Sequence, residues 1–354
     1  MAVQKITIEE FIMQAANAII IDVRSPAEFE QAHIPNAFSL PLFNNDERAI
    51  IGTTYKKQSR EEAIKLGLPL FGYKMLGMIE TVENWIKDKQ PNNPSYKPTI
   101  YVHCWRGGMR SAAIAWLLDL YGYKVIQLTG GYKAYRNWVL AQYNLSYPLK
   151  VLGGFTGSGK TEILHELKKR NHRVIDLEGL AHHKGSAFGA IGQAVQPSQE
   201  MFENILAHAL LEAKMSNETI WIEDESQRIG TVMIPTPLFH LLRNSACYFL
   251  TIPFEERLKF IVEGYGKFDK KSLMEATQRI EKRLGGLETK NAVTYILEGQ
   301  YKEAFAILLK YYDKWYEKNA KNQSLPKVKI IPVNSEKVDP ILNAALIENF
   351  VHFD

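Results

Sequence analysis

The chain is poor in cysteine, in net charge and in long apolar runs, and each shortage removes a class of protein. With two cysteines in 354 residues, Cys104 and Cys247, it has neither a disulfide framework nor zinc-site spacing. A reducing cytoplasm is the expected compartment. A formal net charge of +4 excludes a histone-like binder but leaves room for an anionic partner. No stretch of about 18 apolar residues occurs, and the first ten residues lack the apolar core of a signal peptide. No membrane association is therefore expected. The length exceeds one ordinary core and fits two domains, with no internal repeat or low-complexity tract.

Short apolar runs alternate with helical patterns, which predicts an α/β fold with the chemistry at the carboxyl ends of strands. Strands are expected at 19–24, 99–104 and 124–128, and a helix at 111–121 with Gly122 at its C-terminus. Residues 52–72 read as a polar, glycine-spotted stretch before an amphipathic helix at 75–89, and 87–97 as a surface loop. After a connecting helix near 133–145, a second α/β block begins. Its expected strands are 149–153, 173–177, 219–223, 246–251 and 328–333, with clear helices at 161–169 and 200–215. Two doubly wound domains, 1–140 and 146–354, are the coarse reading.

The first domain carries Cys104-Trp105-Arg106-Gly107-Gly108-Met109-Arg110-Ser111 at a strand end, directly before a helix. A helix N-terminus aimed at a thiol favours its thiolate and holds an oxyanion at the same spot. Gly107 and Gly108 let successive N–H groups turn inward as an anion nest requires, and Met109 and Ser111 complete the cradle. Arg106 can add charge, while Arg110, closing the loop, is the better placed for bidentate contact. A packed strand-end cysteine is the bland alternative, and two glycines framed by arginines suit it poorly. Cys104 and Arg110 are thus the candidate catalytic pair.

This domain resembles the rhodanese family. The matching pieces are Asp22-Val23-Arg24, Glu28-Phe29 with Ala32-His33-Ile34-Pro35-Asn36-Ala37, the strand ending at Cys104, and Leu128-Thr129-Gly130-Gly131. The resemblance implies a rhodanese-like fold and a thiolate that carries a chalcogen. In common sulfurtransferases of this fold four residues separate Cys and Arg, whereas here five intervene. The longer loop resembles that of dual-specificity phosphatases and would admit a tetrahedral, phosphate-like donor, which keeps phosphatase activity as a rival.

The second domain opens on a strand followed by Gly154-Phe155-Thr156-Gly157-Ser158-Gly159-Lys160-Thr161 and a helix. This is the full phosphate-loop pattern, as in P-loop kinases. Loop N–H groups hold phosphates, Lys160 bridges the terminal ones, and Thr161 can ligate Mg²⁺. The motif recognises a diphosphate whatever is attached to it. Asp176, Glu178, Glu223 and Asp224 end neighbouring strands and are candidates for an acidic or Mg²⁺-binding role, with solvated strand ends as the alternative; no metal site is certain. Arg257, Lys267, Arg279, Lys282 and Arg283 are candidates for a mobile basic lid or a tRNA-contacting surface. A helix expected over 301–318 sets Lys310, Lys314 and Lys318 on one stripe beside Tyr311, Tyr312, Trp315 and Tyr316. That combination suits RNA, or packs a terminal helix on its domain.

Together, the two loops and the Gln278-Arg279 to Gly285-Gly286 neighbourhood resemble the bacterial tRNA 2-selenouridine synthase family over nearly the whole chain. The resemblance implies a tRNA partner bearing 2-thiouridine at the wobble position, and two substrates, geranyl diphosphate and selenophosphate, with no tightly bound cofactor and Mg²⁺ allowed for. Geranylation of the C2 sulfur would precede its replacement by selenium, and a transient contact with selenophosphate synthetase would suit that supply. Cys104 could attack the activated C2 or accept selenium as a perselenide. An apolar slot for the prenyl chain is sought near Phe155, Phe188 or Phe202. Two rivals are a small-molecule sulfurtransferase or phosphatase fused to an ATP-dependent kinase, and a non-enzymatic RNA-binding module.

Overall fold

The computed structural model describes residues 3–16, 18–91, 96–215, 218–322 and 329–351. They form two compact units, Met1–Ala141 and Gln142–Asp354.

In the first unit, strands β1 (Gln4–Ile6), β2 (Ile19–Asp22), β3 (Phe38–Ser39), β4 (Ile100–His103) and β5 (Val125–Leu128) form a parallel sheet of order β1-β5-β4-β2-β3. Every residue of β2, β4 and β5 is buried, as a parallel sheet covered on both faces requires. Helices α1 (Ile8–Gln14), α2 (Pro26–Gln31), α3 (Asn45–Lys57), α4 (Arg60–Lys89), α5 (Met109–Leu120) and α6 (Gly131–Gln142) connect them. The core gathers Ile21, Val23, Val102, Ile114 and Leu118.

The polar stretch expected before residue 75 is instead helical in α3 and α4. Asn44 and Glu47 cap α3 reciprocally, and the Ser59 side chain accepts from the Glu62 N–H at the start of α4. Gly67 suggested a loop for a packing reason: a Cβ there would lie 3.0 Å from the Phe43 ring. Pro69 lies inside α4 without ending it. The expected loop at 87–97 begins only after Lys89, and residues 92–95 lie outside those described.

In the second unit, β6 (Leu149–Gly154), β7 (Arg173–Ile175), β8 (Ile220–Glu223), β11 (Ala246–Thr251) and β12 (Ile330–Asn334) form a parallel sheet of order β12-β11-β6-β8-β7. A small antiparallel hairpin joins β9 (Arg228–Ile229) and β10 (Val232–Met233). The chain crosses from one side of β6 to the other between β8 and β11, so the loop after β6 opens at a topological switch point. Helices α7 (Lys160–Lys169), α8 (Leu177–Ala181), α9 (Gln199–Met215), α10 (Thr236–Arg243) and α16 (Pro340–Val351) accompany the sheet. Helices α11 (Phe254–Tyr265), α12 (Lys270–Arg279), α13 (Glu281–Leu284), α14 (Gly286–Glu298) and α15 (Tyr301–Asn322) build a core of their own around Leu258, Ile261, Leu273, Ile296, Phe305 and Leu308. Among the described residues no helix is long and apolar enough to cross a membrane.

Two candidate anion sites

The cysteine loop leaves the carboxyl end of β4, and α5 begins at Met109, two residues earlier than the apolar pattern suggested. Arg110 and Ser111 therefore belong to its first turn. The Gly108 N–H donates to Cys104 Sγ at 3.3 Å, and Ser111 Oγ lies 3.2 Å from the same sulfur. Gln127 on β5 holds the arrangement from below, its Nε2 donating to the carbonyl oxygen of Gly107 at 2.9 Å and to Ser111 Oγ at 2.6 Å. Residue spacing alone gave no sign of Gln127, because it enters from another strand.

The Leu128-Thr129-Gly130-Gly131 turn buttresses the loop. Tyr132 N–H donates to the Cys104 carbonyl at 2.8 Å and Lys133 N–H to that of Trp105 at 2.9 Å. Gly107 and Gly131 both have positive φ and meet backbone to backbone, which leaves no room for a side chain on either. Asp22 and Arg24 form a buried pair beneath, with Arg24 Nη2 donating to Asp22 Oδ2 at 2.6 Å and to the Ala32 carbonyl at 2.7 Å. The Arg24 guanidinium also lies 3.8 Å from the Tyr132 ring centroid. Those rhodanese-type markers therefore hold the loop's support.

Arg110 is not displayed freely to the cradle: its Nη1 donates to Glu28 Oε2 at 2.8 Å. Glu28 caps α2 and receives the Ser25 N–H as well. Burial alone would raise its carboxyl, but the hydrogen bond and charge of Arg110, the Ser25 N–H and the Arg48 charge outweigh that and hold it at about 2. Arg106 is exposed, and Trp105 and Met109 are partly exposed beside it on the loop rim.

The phosphate loop is built between β6 and α7, with positive φ at Gly154, Gly157 and Gly159. Ser158 is fully buried and donates through Oγ to the Phe155 carbonyl at 2.8 Å, so it shapes the loop from inside. Lys160 Nζ reaches back to the Gly154 carbonyl at 3.0 Å, and Thr161 Oγ1 donates to Glu178 Oε2 at 2.9 Å. Glu223, fully buried, accepts the Glu178 N–H at 2.7 Å and keeps its other oxygen without a partner. Burial, then the charges of Asp176 and Glu178, push its carboxyl well up.

A carboxyl outside the four acidic candidates, Glu225, completes this edge. Glu225 and Glu178 converge over Gly185, where a Cβ would come 2.7 Å from Glu225 Oε2 and 3.1 Å from Glu178 Oε1. Burial, followed by the Glu178 charge, pushes Glu225 up to about 8, and burial also raises Glu178. Asp224 faces elsewhere, paired with Arg243 at 2.6 Å and accepting from Tyr316 at 2.9 Å. Asp176 caps α8 and meets His165 Nε2 at 2.7 Å. Among the described residues no three His, Cys, Asp or Glu are grouped to hold a metal ion.

The expected basic lid separates into two kinds of residue. Arg257 is buried rather than mobile: its guanidinium forms a two-point pair with Asp313 at 2.9 and 2.7 Å and donates to the Thr156 carbonyl at 3.0 Å. It braces the phosphate loop from behind. Lys267, Lys282 and Arg283 are exposed, and Arg279, also exposed, donates to the Ala187 carbonyl at 3.1 Å. On α15, Lys310, Lys314 and Trp315 face outward, while Tyr316 turns in to Asp224 and the Tyr312 hydroxyl oxygen accepts the Ala187 N–H at 3.2 Å. The side chain of Lys318 lies outside the described residues.

Of the three aromatic positions considered for a slot, Phe202 is fully buried in the core, and Phe155 packs on Phe249 and Tyr316 under the loop. Phe188 does line a cavity, together with Thr156. Cys247 is a packing residue: its sulfur would lie 2.7 Å from a Cβ at Gly153, and burial pushes its thiol up to about 12.

Residues 10–137 match the rhodanese-like domain, and residues 147–278 match the tRNA 2-selenouridine synthase AAA domain. A tRNA 2-selenouridine synthase of Sulfurovum sp. is 33% identical over 356 residues, covering 94% of this chain and 90% of that protein. One from Hydrogenovibrio crunogenus is 38% identical, covering 76% of this chain and 77% of its own. A third, from Nitrosomonas europaea, is 40% identical over 71% of this chain, which spans 64% of that relative's length. On these matches the chain belongs to the tRNA 2-selenouridine synthase family.

Proposed function

We propose that this protein converts 2-thiouridine at the wobble position of tRNA to 2-selenouridine in two half-reactions, one at each anion site. At the phosphate loop, the C2 sulfur of the base forms a bond to C1 of geranyl diphosphate while the C–O bond to diphosphate breaks. The loop N–H groups, Lys160 and Thr161 take up the charge that develops on the leaving diphosphate. At the cysteine loop, selenium from selenophosphate displaces the geranylthio group, now a better leaving group than bare sulfur: the C2–Se bond forms as the C2–S bond breaks and geranylthiol leaves, and water cleaves the P–Se bond to release phosphate.

The observation that carries this reading is the setting of Cys104: its sulfur receives the Gly108 N–H and the Ser111 hydroxyl at the N-terminus of α5. A nucleophile so placed has donors for a bound anion at hand. The tRNA base must leave its stack to reach either loop, which an anticodon loop permits more readily than a duplex. Exposed Lys310, Lys314 and Trp315, with Lys267, Lys282 and Arg283, supply the charge and ring area for the backbone and unstacked bases.

The test is mass analysis of nucleosides from 2-thiouridine tRNA incubated with the protein, geranyl diphosphate and selenophosphate. Cys104→Ser is expected to abolish selenium incorporation while S-geranylation persists, and Lys160→Ala to abolish geranylation. Loss of both activities in a folded Cys104→Ser protein would sink the division of labour. Turnover of ATP without any change to the tRNA would favour the kinase fusion instead.

A further inference from the structure

Gln127 is the only polar residue of β5, beside Val125, Ile126 and Leu128, and just 1% of it is exposed. A buried amide in such a strand is costly unless its hydrogen-bonding groups are used. The sheet register sets it next to Val102 on β4, under the loop that leaves that strand. Its Nε2 faces three oxygens: the Gly107 carbonyl at 2.9 Å, Ser111 Oγ at 2.6 Å and the Gly108 carbonyl at 3.3 Å. Carbonyl oxygens only accept, so one orientation of the amide serves, with its NH₂ toward the loop.

These contacts decide where the donors around Cys104 point. In a planar trans peptide the C=O and the N–H that follows it point in opposite directions. Holding the Gly107 carbonyl down on Gln127 therefore turns the Gly108 N–H up to Cys104 Sγ, which it meets at 3.3 Å. The Ser111 hydroxyl has one proton and two acceptors in reach, Cys104 Sγ at 3.2 Å and the Gly108 carbonyl at 3.1 Å. That carbonyl already receives the Ala112 N–H at 3.1 Å and Gln127 Nε2, which fills both its lone pairs. Gln127 also takes a lone pair of Ser111 Oγ, so the hydroxyl proton is left for the sulfur.

We propose that Gln127 is a positioning residue for Cys104, one buried amide that aims both the Gly108 N–H and the Ser111 hydroxyl at the reacting sulfur. Two donors on a sulfur favour its charged, nucleophilic form. The inference rests on the proposed function for the step it serves, and on hydrogen-bond geometry for the aiming itself.

The test is Gln127→Met in the full chain, alone and combined with Ser111→Ala. Methionine keeps the length of the side chain without its donors. Thermal unfolding establishes that each variant is folded; should Gln127→Met not fold, Gln127→Asn, which draws the amide back by one methylene, takes its place. Alkylation of Cys104 by iodoacetamide near neutral pH should slow about tenfold in Gln127→Met, the loss expected when hydrogen bonds to a charged group go. Ser111→Ala should slow it less, because the Gly108 N–H stays in place. The double variant should match Gln127→Met within about twofold, since both substitutions cut the same contact. Selenium incorporation should lose kcat in the same order while KM for the tRNA stays within about twofold, whereas a loop that had merely collapsed would raise KM as well. Wild-type alkylation in folded Gln127→Met, or losses that multiply in the double variant, would overturn the inference. If alkylation behaves as expected and selenium incorporation does not follow it, the aiming stands and the part given to Cys104 in the proposed function fails.

Discussion

Arg110, in the first turn of the helix that follows the cysteine loop, donates from Nη1 to Oε2 of Glu28 at 2.8 Å, and that oxygen also accepts from the N–H and Oγ of Ser25. The loop's closing arginine is thereby tied to the cap of α2, a segment far from it in sequence. Its orientation is set before any anion arrives, which is what preorganised charge stabilisation requires.

This tie has a pH signature. Burial by itself raises the Glu28 carboxyl, but Arg110, Ser25 and Arg48 outweigh it and hold it at about 2, below its ordinary 4.5. The folded value is the lower one, so the stabilisation is fully present above 4.5 and is lost as pH falls toward about 2. Urea unfolding of wild type should weaken by about 2 kcal/mol more than that of Glu28→Gln between roughly pH 5 and pH 2. Parallel curves would show that the pair does not stabilise the fold.

The cysteines should differ in reactivity despite both being buried. Cys104 has the Gly108 N–H and the Ser111 hydroxyl on its sulfur, whereas Cys247 sits on β11 under Gly153 with its thiol pushed up to about 12, by burial above all. Mild alkylation with iodoacetamide, followed by peptide mass analysis, should mark Cys104 alone. Ser111→Ala removes one donor and should slow selenium incorporation by about 10² with geranylation unchanged. Equal slowing of both steps would mean that Ser111 acts only through the fold.

Glu225 predicts how diphosphate binding depends on pH. Its carboxyl is pushed up to about 8, by burial and then by Glu178, so the folded value lies above the ordinary 4.5. Stability from the protonated form is complete below 4.5 and lost as pH rises through about 8. The negative charge gained there faces Lys160, whose charge already acts on Glu225. Affinity for inorganic diphosphate should therefore fall about tenfold between roughly pH 7 and pH 9, and Glu225→Gln should flatten the profile. An unchanged slope in that variant would assign the titration to another group.

Much of the fold was legible because parallel strands announce themselves as short apolar runs. The run at 19–24 appears as β2 and that at 246–251 as β11, and each of the two loops follows a strand recognised in this way. Helices α3 and α4 were hidden by Gly52, Gly67, Pro69 and Gly72, residues whose helix-breaking tendency is overridden by capping at Asn44 and Ser59 and by packing on Phe43. Arg257 looked like a lid residue when grouped with Arg279, Lys282 and Arg283 in the sequence; its partner Asp313 comes from a distant helix and buries it. The cavity that Phe188 shares with Thr156 was illegible for the same reason, since its lining residues Thr156, Phe188, Ile261 and Phe305 converge only in three dimensions.

Gly131 offers a test of how strictly the cysteine loop depends on its support. A Cβ there would sit 2.2 Å from the Cys104 carbonyl oxygen and 2.4 Å from the Gly107 nitrogen, and φ is +57°. Both contacts are with backbone, which cannot rotate away as a side chain could, so Gly131→Ala must displace the loop or the turn. The variant should lose about 2 kcal/mol or more of stability in the first unit and nearly all selenium incorporation. The hydrogen bonds from Tyr132 and Lys133 to the Cys104 and Trp105 carbonyls would be pulled out of place at the same time. Geranylation, which the proposed function assigns to residues of the second unit, should survive in protein purified at a temperature where the first unit stays folded. If Gly131→Ala incorporated selenium at the wild-type rate, the backbone contact between this turn and the cysteine loop would have no part in setting the geometry at Cys104.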